Sequence, residues 1–149
     1  MGSKQSLPAF RLFLRGVDDV DFLLTLHGEI RWLVALVAVV AIVKYGLGLW
    51  QKQSYGPMDR GLIAAFTGLL DLNFLLGLIL LFGLGGGFPM HRIEHAVTML
   101  LAVIVAHSSA AWCKSDDATR KFRNNLIVIV LALVLVVVGV IRLRGGWVF

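Results

Sequence analysis

The stretch LIVIVLALVLVVVGVI, residues 126–141, decides the fold class because no charged or polar side chain interrupts it. A helix needs about 20 largely apolar residues to cross a bilayer. Three earlier segments, at about residues 32–50, 61–82 and 95–112, have a similar apolar character. The apolar runs are continuous rather than alternating, so they predict membrane helices and not the strands of an outer-membrane barrel.

The overall composition supports the same class. The chain has 149 residues, of which 58% are hydrophobic and 15% charged, whereas a soluble domain carries about 25% charged residues. Its mean hydropathy is +0.85. The net charge of +5 comes from basic residues that lie between the apolar runs, where they are typical of membrane-flanking positions. Nucleic-acid binding is therefore not expected.

The connections between the apolar segments are short, and short connections place consecutive helices side by side in opposite directions. We therefore predict an all-α, integral membrane four-helix bundle with up-down-up-down topology, formed by residues 27–149. Residues 1–26 are amphipathic in places and are predicted to lie on the membrane surface or on a partner subunit. Seven Lys or Arg residues fall on each side of the membrane, so the charge distribution favours neither orientation.

Ionisable residues at the span ends are the first candidates for function, because a charge in the bilayer is costly unless it is paired. His27 and His95 open the first and third spans, which run in the same direction, so both should lie near the same membrane face. Two histidines at matching depth on different helices can bind both faces of one haem. His107 lies about 18 Å beyond His95 along the helix, so it needs a second haem or another role.

Asp71 and Asn73 lie near the middle of the second span. A buried aspartate needs a partner or a proton, and His107, Thr67 and Asn73 are candidate partners. One interpretation is a proton-carrying pair of Asp71 and His107 in a polar cavity. The other is a neutral Asp71 that is hydrogen-bonded across helices for packing.

Other chemistries have weaker support in the sequence. A mixed metal site could form from the four residues His27, His91, Glu94 and His95, although His91 is predicted to lie solvated in a loop. No H-E-x-x-H or C-x-x-C motif is present, and no nucleophile motif indicates a catalytic residue. Enzyme activity is therefore left open. If the chain takes part in catalysis, it would do so as a subunit of an oxidoreductase complex.

Three polar motifs occur in order on the spans: HGEIRW at 27–32, DLNFLLG at 71–77 and EHAVTMLLAVIVAH at 94–107. With them, residues 27–142 resemble small bacterial four-helix membrane proteins described as cytochrome b-like. The resemblance implies one or two b-type haems, with His27, His95 and His107 at the matched ligand positions. It also implies that Arg31 and Glu94 lie beside the ligands or pair with the haem propionates.

The resemblance and the polar residues together predict a multi-pass electron-transfer subunit in the bacterial cytoplasmic (inner) membrane. It would bind haem b and exchange electrons with a quinone or with other membrane subunits of a respiratory or photosynthetic complex. The alternative is a cofactor-free accessory subunit that stabilises a larger complex and binds lipid or quinone near Asp71 and His107. A third possibility is proton conduction along Asp71 and His107, although the sequence has no inverted repeat of the transporter kind.

Overall fold

Four long helices make up the computed structural model, which describes residues 7–84 and 87–144 and the side chains of 19–84 and 87–143. Within those ranges the chain forms no strand. The helices are α1 (Leu7–Trp50), α2 (Pro57–Gly83), α3 (Met90–His107) and α4 (Ala118–Arg144), and a 3₁₀ segment, Ser108–Trp112, extends α3. The predicted all-α four-helix architecture is confirmed.

The helices form a four-membered ring. α1 and α3 each pack against both α2 and α4, so α1 and α3 lie on one diagonal of the bundle. All four are long and apolar enough to cross a membrane, over Asp19–Trp50, Pro57–Gly83, Met90–Trp112 and Ala118–Leu143. The chain is therefore a multi-pass membrane protein whose apolar helix surfaces contact lipid.

Helix boundaries differ from the predicted ones, most of all at the start of α1 and of α4. α1 is continuous through the predicted boundary at residue 26, because its only proline, Pro8, lies in the first turn, where proline is tolerated. The location of the first part of α1 on the membrane surface stays a prediction. Residues 1–6 lie outside the described chain. α4 begins at Ala118, in a stretch predicted as loop, because the Asp117 carboxylate accepts a hydrogen bond from the Arg120 backbone N–H at 3.0 Å and caps the helix.

Small and aromatic residues share the core at the centre of the bundle. On α1 the buried residues recur at helical spacing, as Val34, Ala38, Ala41 and Tyr45. On α3 the buried residues are Ala102 and Ala106. Alanines at these positions let the backbones approach closely, which is how membrane helices gain packing contacts without a hydrophobic driving force.

The end of the bundle near residues 51–59 holds a buried ion pair. Asp59 is only 3% exposed, and its carboxylate accepts a hydrogen bond from the Gly56 backbone N–H at 2.8 Å. The Lys44 ammonium lies 3.4 Å from the same carboxylate. The Tyr45 hydroxyl donates to the Asp59 carbonyl at 2.7 Å. These contacts fix the end of α1 to the start of α2.

A second chain of hydrogen bonds joins α4 to the same end. The Trp112 indole donates to the Asn125 side chain at 2.7 Å, and Asn125 donates to the Tyr55 hydroxyl at 2.8 Å. The Tyr55 ring contacts Phe122 with centroids 5.0 Å apart. Burial raises the pKa of Tyr55, so its hydroxyl stays protonated across the physiological range.

Gly48 provides a sharp test of this packing. A Cβ built on Gly48 would lie 2.7 Å from the Phe122 ring, whereas a Cβ on Gly46 meets no atom within 4 Å. We expect Gly48→Ala to destabilise the protein by about 1–3 kcal/mol through overpacking. Gly46→Ala should stabilise it by about 0.5–1 kcal/mol, because alanine is the better helix former. Thermal unfolding in detergent should show opposite shifts in Tm, and equal shifts would contradict the packing of Phe122 on Gly48.

Candidate functional site

Two histidines face each other across the diagonal of the bundle. His27 on α1 and His95 on α3 have ring centroids 6.4 Å apart and ring planes inclined by 79°. α1 and α3 run in the same direction and each residue lies toward the same end of the membrane. The structure therefore brings these two residues together, at the matching depth expected from their positions in the spans.

Each imidazole is tethered by its Nδ1 atom to a backbone carbonyl of an adjacent helix. His27 Nδ1 lies 3.0 Å from the Asn73 carbonyl of α2, and His95 Nδ1 lies 2.9 Å from the Gly139 carbonyl of α4. A carbonyl oxygen can only accept, so the proton resides on Nδ1 in both rings. In the neutral ring Nε2 then carries the lone pair, which is the arrangement of a histidine ready to bind a metal.

Glycines make the space in which these rings lie. A Cβ on Gly77 would come within 3.1 Å of His27 Cε1. A Cβ on Gly139 would lie 3.4 Å from His95 Nδ1 and would also collide with Met99. Gly77 ends the DLNFLLG motif, but Gly139 lies in the span that carries no polar side chain, and sequence reasoning missed it. Its signal was a glycine inside a valine-rich helix, which marks close approach of a neighbour.

A cavity of about 110 Å³ adjoins both histidines. Most of its wall is apolar, and Arg92 is the cationic residue among the described side chains that line it. Arg92 lies three residues before His95 and therefore on the same face of α3. The three-residue spacing of Arg92 and His95 in the sequence would therefore have predicted a cation beside the histidine pair.

The two rings belong to different helices, and their centroids lie 6.4 Å apart, close enough for both imidazoles to contact one bound group. Imidazole nitrogen is a common ligand of iron, copper and zinc, and histidine also holds haem iron. The chemistry of this donor pair therefore suits a metal or a haem.

Other predicted members of the site lie elsewhere. The Arg31 guanidinium lies over the Trp32 ring, 5.1 Å from its centroid, and Arg31 does not line the cavity. The Glu94 carboxylate is exposed and lies 3.9 Å from the Arg142 guanidinium. The structure therefore brings neither Arg31 nor Glu94 into contact with the two rings.

The predicted mixed metal cluster is wrong for the part of the chain that the structure describes. No group of three histidine, cysteine or acidic side chains comes close enough to hold a metal there. The prediction that His91 lies in a loop is also wrong, because Pro89 begins α3 at Met90 and His91 is an exposed residue of its first turn. Four residues before His95 on a helix, His91 is one turn too far toward the membrane surface to join the pair.

His107 pairs with Asp71 at a separate position. Its Nε2 lies 2.9 and 3.0 Å from the two carboxylate oxygens of Asp71. Of the three candidate partners of Asp71, His107 is therefore the one that contacts it. The two side chains are 57% and 37% exposed, which places them on the outer surface of the bundle. The other candidate, Thr67, donates instead to the Ile63 carbonyl of its own helix at 3.0 Å.

Asn73 lies on a different side of α2 from Asp71, because residues two apart on a helix do not face the same way. Its backbone carbonyl accepts from His27, and its side-chain Oδ1 is buried with no hydrogen-bond partner. Asn73 therefore belongs to the surroundings of the histidine pair and not to a common polar cavity with Asp71.

Comparison with known proteins gives no match: no family model, no curated protein and no solved structure is similar to this chain.

The tautomers of the two histidines are directly measurable. We expect ¹⁵N NMR of the protein in micelles at neutral pH to show protonated Nδ1 and lone-pair Nε2 in both His27 and His95. Gly77→Val should alter the His27 signals, because the new side chain meets that ring, whereas Gly61→Val on the same helix meets no neighbour at Cβ and should not. Protonated Nε2 in both rings would contradict the tethers.

Proposed function

We propose that this chain is a membrane electron-transfer subunit that binds one b-type haem between α1 and α3, where His27 and His95 are the residues that would hold its iron. The observation that carries the proposal is the pair of tethered imidazoles, 6.4 Å apart between centroids. The proton on each Nδ1 leaves Nε2 as the ligand atom. The likeness of HGEIRW, DLNFLLG and EHAVTMLLAVIVAH to the cytochrome b-like motifs supports the same assignment.

A haem held here would supply one-electron redox chemistry, and the chain's own residues would hold and orient it. The carbonyls of Asn73 and Gly139 keep the rings from rotating, and hydrogen bonding at Nδ1 makes the ligating nitrogen a stronger donor. Leucines and Phe74 line the cavity and exclude water. The Arg92 guanidinium is the group that fits a haem propionate, because arginine pairs with carboxylates in a bidentate manner.

The size of the cavity sets a condition on this function. A tetrapyrrole is larger than the cavity of about 110 Å³, so binding it requires the helices around the histidine pair to rearrange.

The position of His107 supports one haem in preference to two. No second histidine lies beside it in the described residues, and its Nε2 is engaged by Asp71.

The loops are short and the polar mass outside the bilayer is small, so we place the chain in a larger respiratory or photosynthetic complex of a bacterial cytoplasmic membrane. A quinone or another subunit of that complex would be its electron partner.

The chain offers its own control set for the test, because two of its four histidines form the site and two do not. A reduced-minus-oxidised visible spectrum of the purified protein should show a b-type α-band in the wild type. His27→Ala and His95→Ala should each abolish at least nine-tenths of it, while His91→Ala and His107→Ala should retain it.

A flat spectrum from folded wild-type protein, expressed with sufficient haem, would contradict the proposal. It would favour the alternative of a cofactor-free accessory subunit, in which His27 and His95 serve only to tie α1 to α2 and α3 to α4. Loss of the band in His107→Ala with retention in His27→Ala would move the site to a different part of the bundle.

A further inference from the structure

An ion pair lies on the outward surface of the bundle, about half-way along α2. Asp71 and His107 join α2 to the end of α3 with a 2.9 Å contact between Oδ2 and Nε2. Asp71 is near the middle of α2, which runs from Pro57 to Gly83. Yet 37% of its side chain and 57% of that of His107 remain exposed.

The other ion pairs of the described residues lie in different environments. Lys44 and Asp59 form a pair at the end of the bundle, where Asp59 is buried. Glu94 and Arg142 pair near the opposite end of the bundle. Ionisable residues inside a membrane span face protein or a water-filled space, so the outward exposure of Asp71 and His107 within candidate spans calls for a covering partner.

The surface around this pair permits close approach. Small residues are exposed at helical spacing on α2 between its start and Asp71, and others follow His107 on the 3₁₀ segment. We name this surface the Asp71 face, and it comprises Gly61, Ala64, Ala65, Gly68, Asp71, His107, Ser108 and Ala111. Small side chains at a membrane interface let two helix backbones come into contact, and polar side chains then hydrogen-bond across it.

We propose that the Asp71 face is the interface of a homodimer, in which a second copy of this chain covers the ion pair. The argument for a second copy is charge complementarity. Each copy presents both a carboxylate and an imidazole, and in a two-fold interface residue i contacts j while j contacts i. In the proposed dimer the carboxylate of each copy faces the imidazole of the other, and the four groups satisfy one another. A lipid acyl chain offers neither a donor nor an acceptor.

Gly68 allows the interface to be blocked without disturbing the protomer. A Cβ on Gly68 meets no atom of its own chain within 4 Å, and the same holds for Gly46 on α1. Gly68→Leu therefore places a bulky side chain on the Asp71 face, and Gly46→Leu is the matched control. A second disrupting variant is the double substitution Asp71→Leu/His107→Leu, which makes the face compatible with lipid.

The experiment is single-molecule photobleaching of labelled full-length protein in phosphatidylcholine liposomes, over a series of protein-to-lipid ratios. We expect dimers for wild type and for Gly46→Leu with equal affinities. Gly68→Leu and the double variant should dimerise at least tenfold more weakly. The far-UV circular dichroism of all four proteins should agree, because the substitutions leave the protomer intact.

Two results would overturn the proposal. One is a wild-type protein that stays monomeric at every ratio, which would leave the ion pair to a different partner. The other is a dimer that Gly68→Leu does not weaken, which would place the interface on another surface. If Gly68→Leu fails to fold, Ala64→Cys in a Cys113→Ser background tests the same interface. A short bismaleimide should cross-link this variant as a dimer. Absence of the cross-linked dimer would overturn the proposed interface. Neither test depends on bound haem.

Discussion

The hydrocarbon of a bilayer offers no hydrogen-bond partner, and this constraint decides where the polar side chains of this bundle lie. Lys44 and Asp59 satisfy each other where α1 meets α2. His27 and His95 satisfy their Nδ1 atoms on helix carbonyls. Asp71 and His107 satisfy each other but still face outward. These three polar pairs differ in how far the protein itself supplies their hydrogen-bond partners and covers them.

The histidine pair depends on helix backbone that is already hydrogen-bonded. A carbonyl in a helix interior has a second lone pair after it accepts the N–H four residues later. The Asn73 and Gly139 carbonyls use that lone pair to orient His27 and His95, so the rings are fixed without breaking α2 or α4. Glycine at position 139 lets His95 reach the backbone of α4. The two ring positions therefore follow from the packing of four helices and not from a loop.

Continuous apolar runs and the direction of successive spans were enough to predict the four helices and the common depth of His27 and His95, and they left His107 as one of three candidate partners of Asp71. Details that depend on neighbours could not be predicted. Arg31 lies one turn from His27 along α1, but its side chain turns to Trp32, and Arg92 reaches the cavity in its place. The sequence does not show which backbone carbonyl, such as that of Gly139, accepts a hydrogen bond from a side chain. The length of α1, which begins at Leu7, was not predicted. An amphipathic segment ahead of a membrane span is compatible both with a separate helix and with a continuation of the span.

Electron paramagnetic resonance of the oxidised wild-type protein tests the central claim most directly, because it reports the number of strong ligands on the iron. Two imidazoles on one ferric haem produce a low-spin signal, and we predict that signal, with its ¹⁵N couplings traced to two labelled histidines. A high-spin signal would mean that only one of the two rings reaches the iron. A folded protein without any ferric signal would contradict the ligation of haem by His27 and His95.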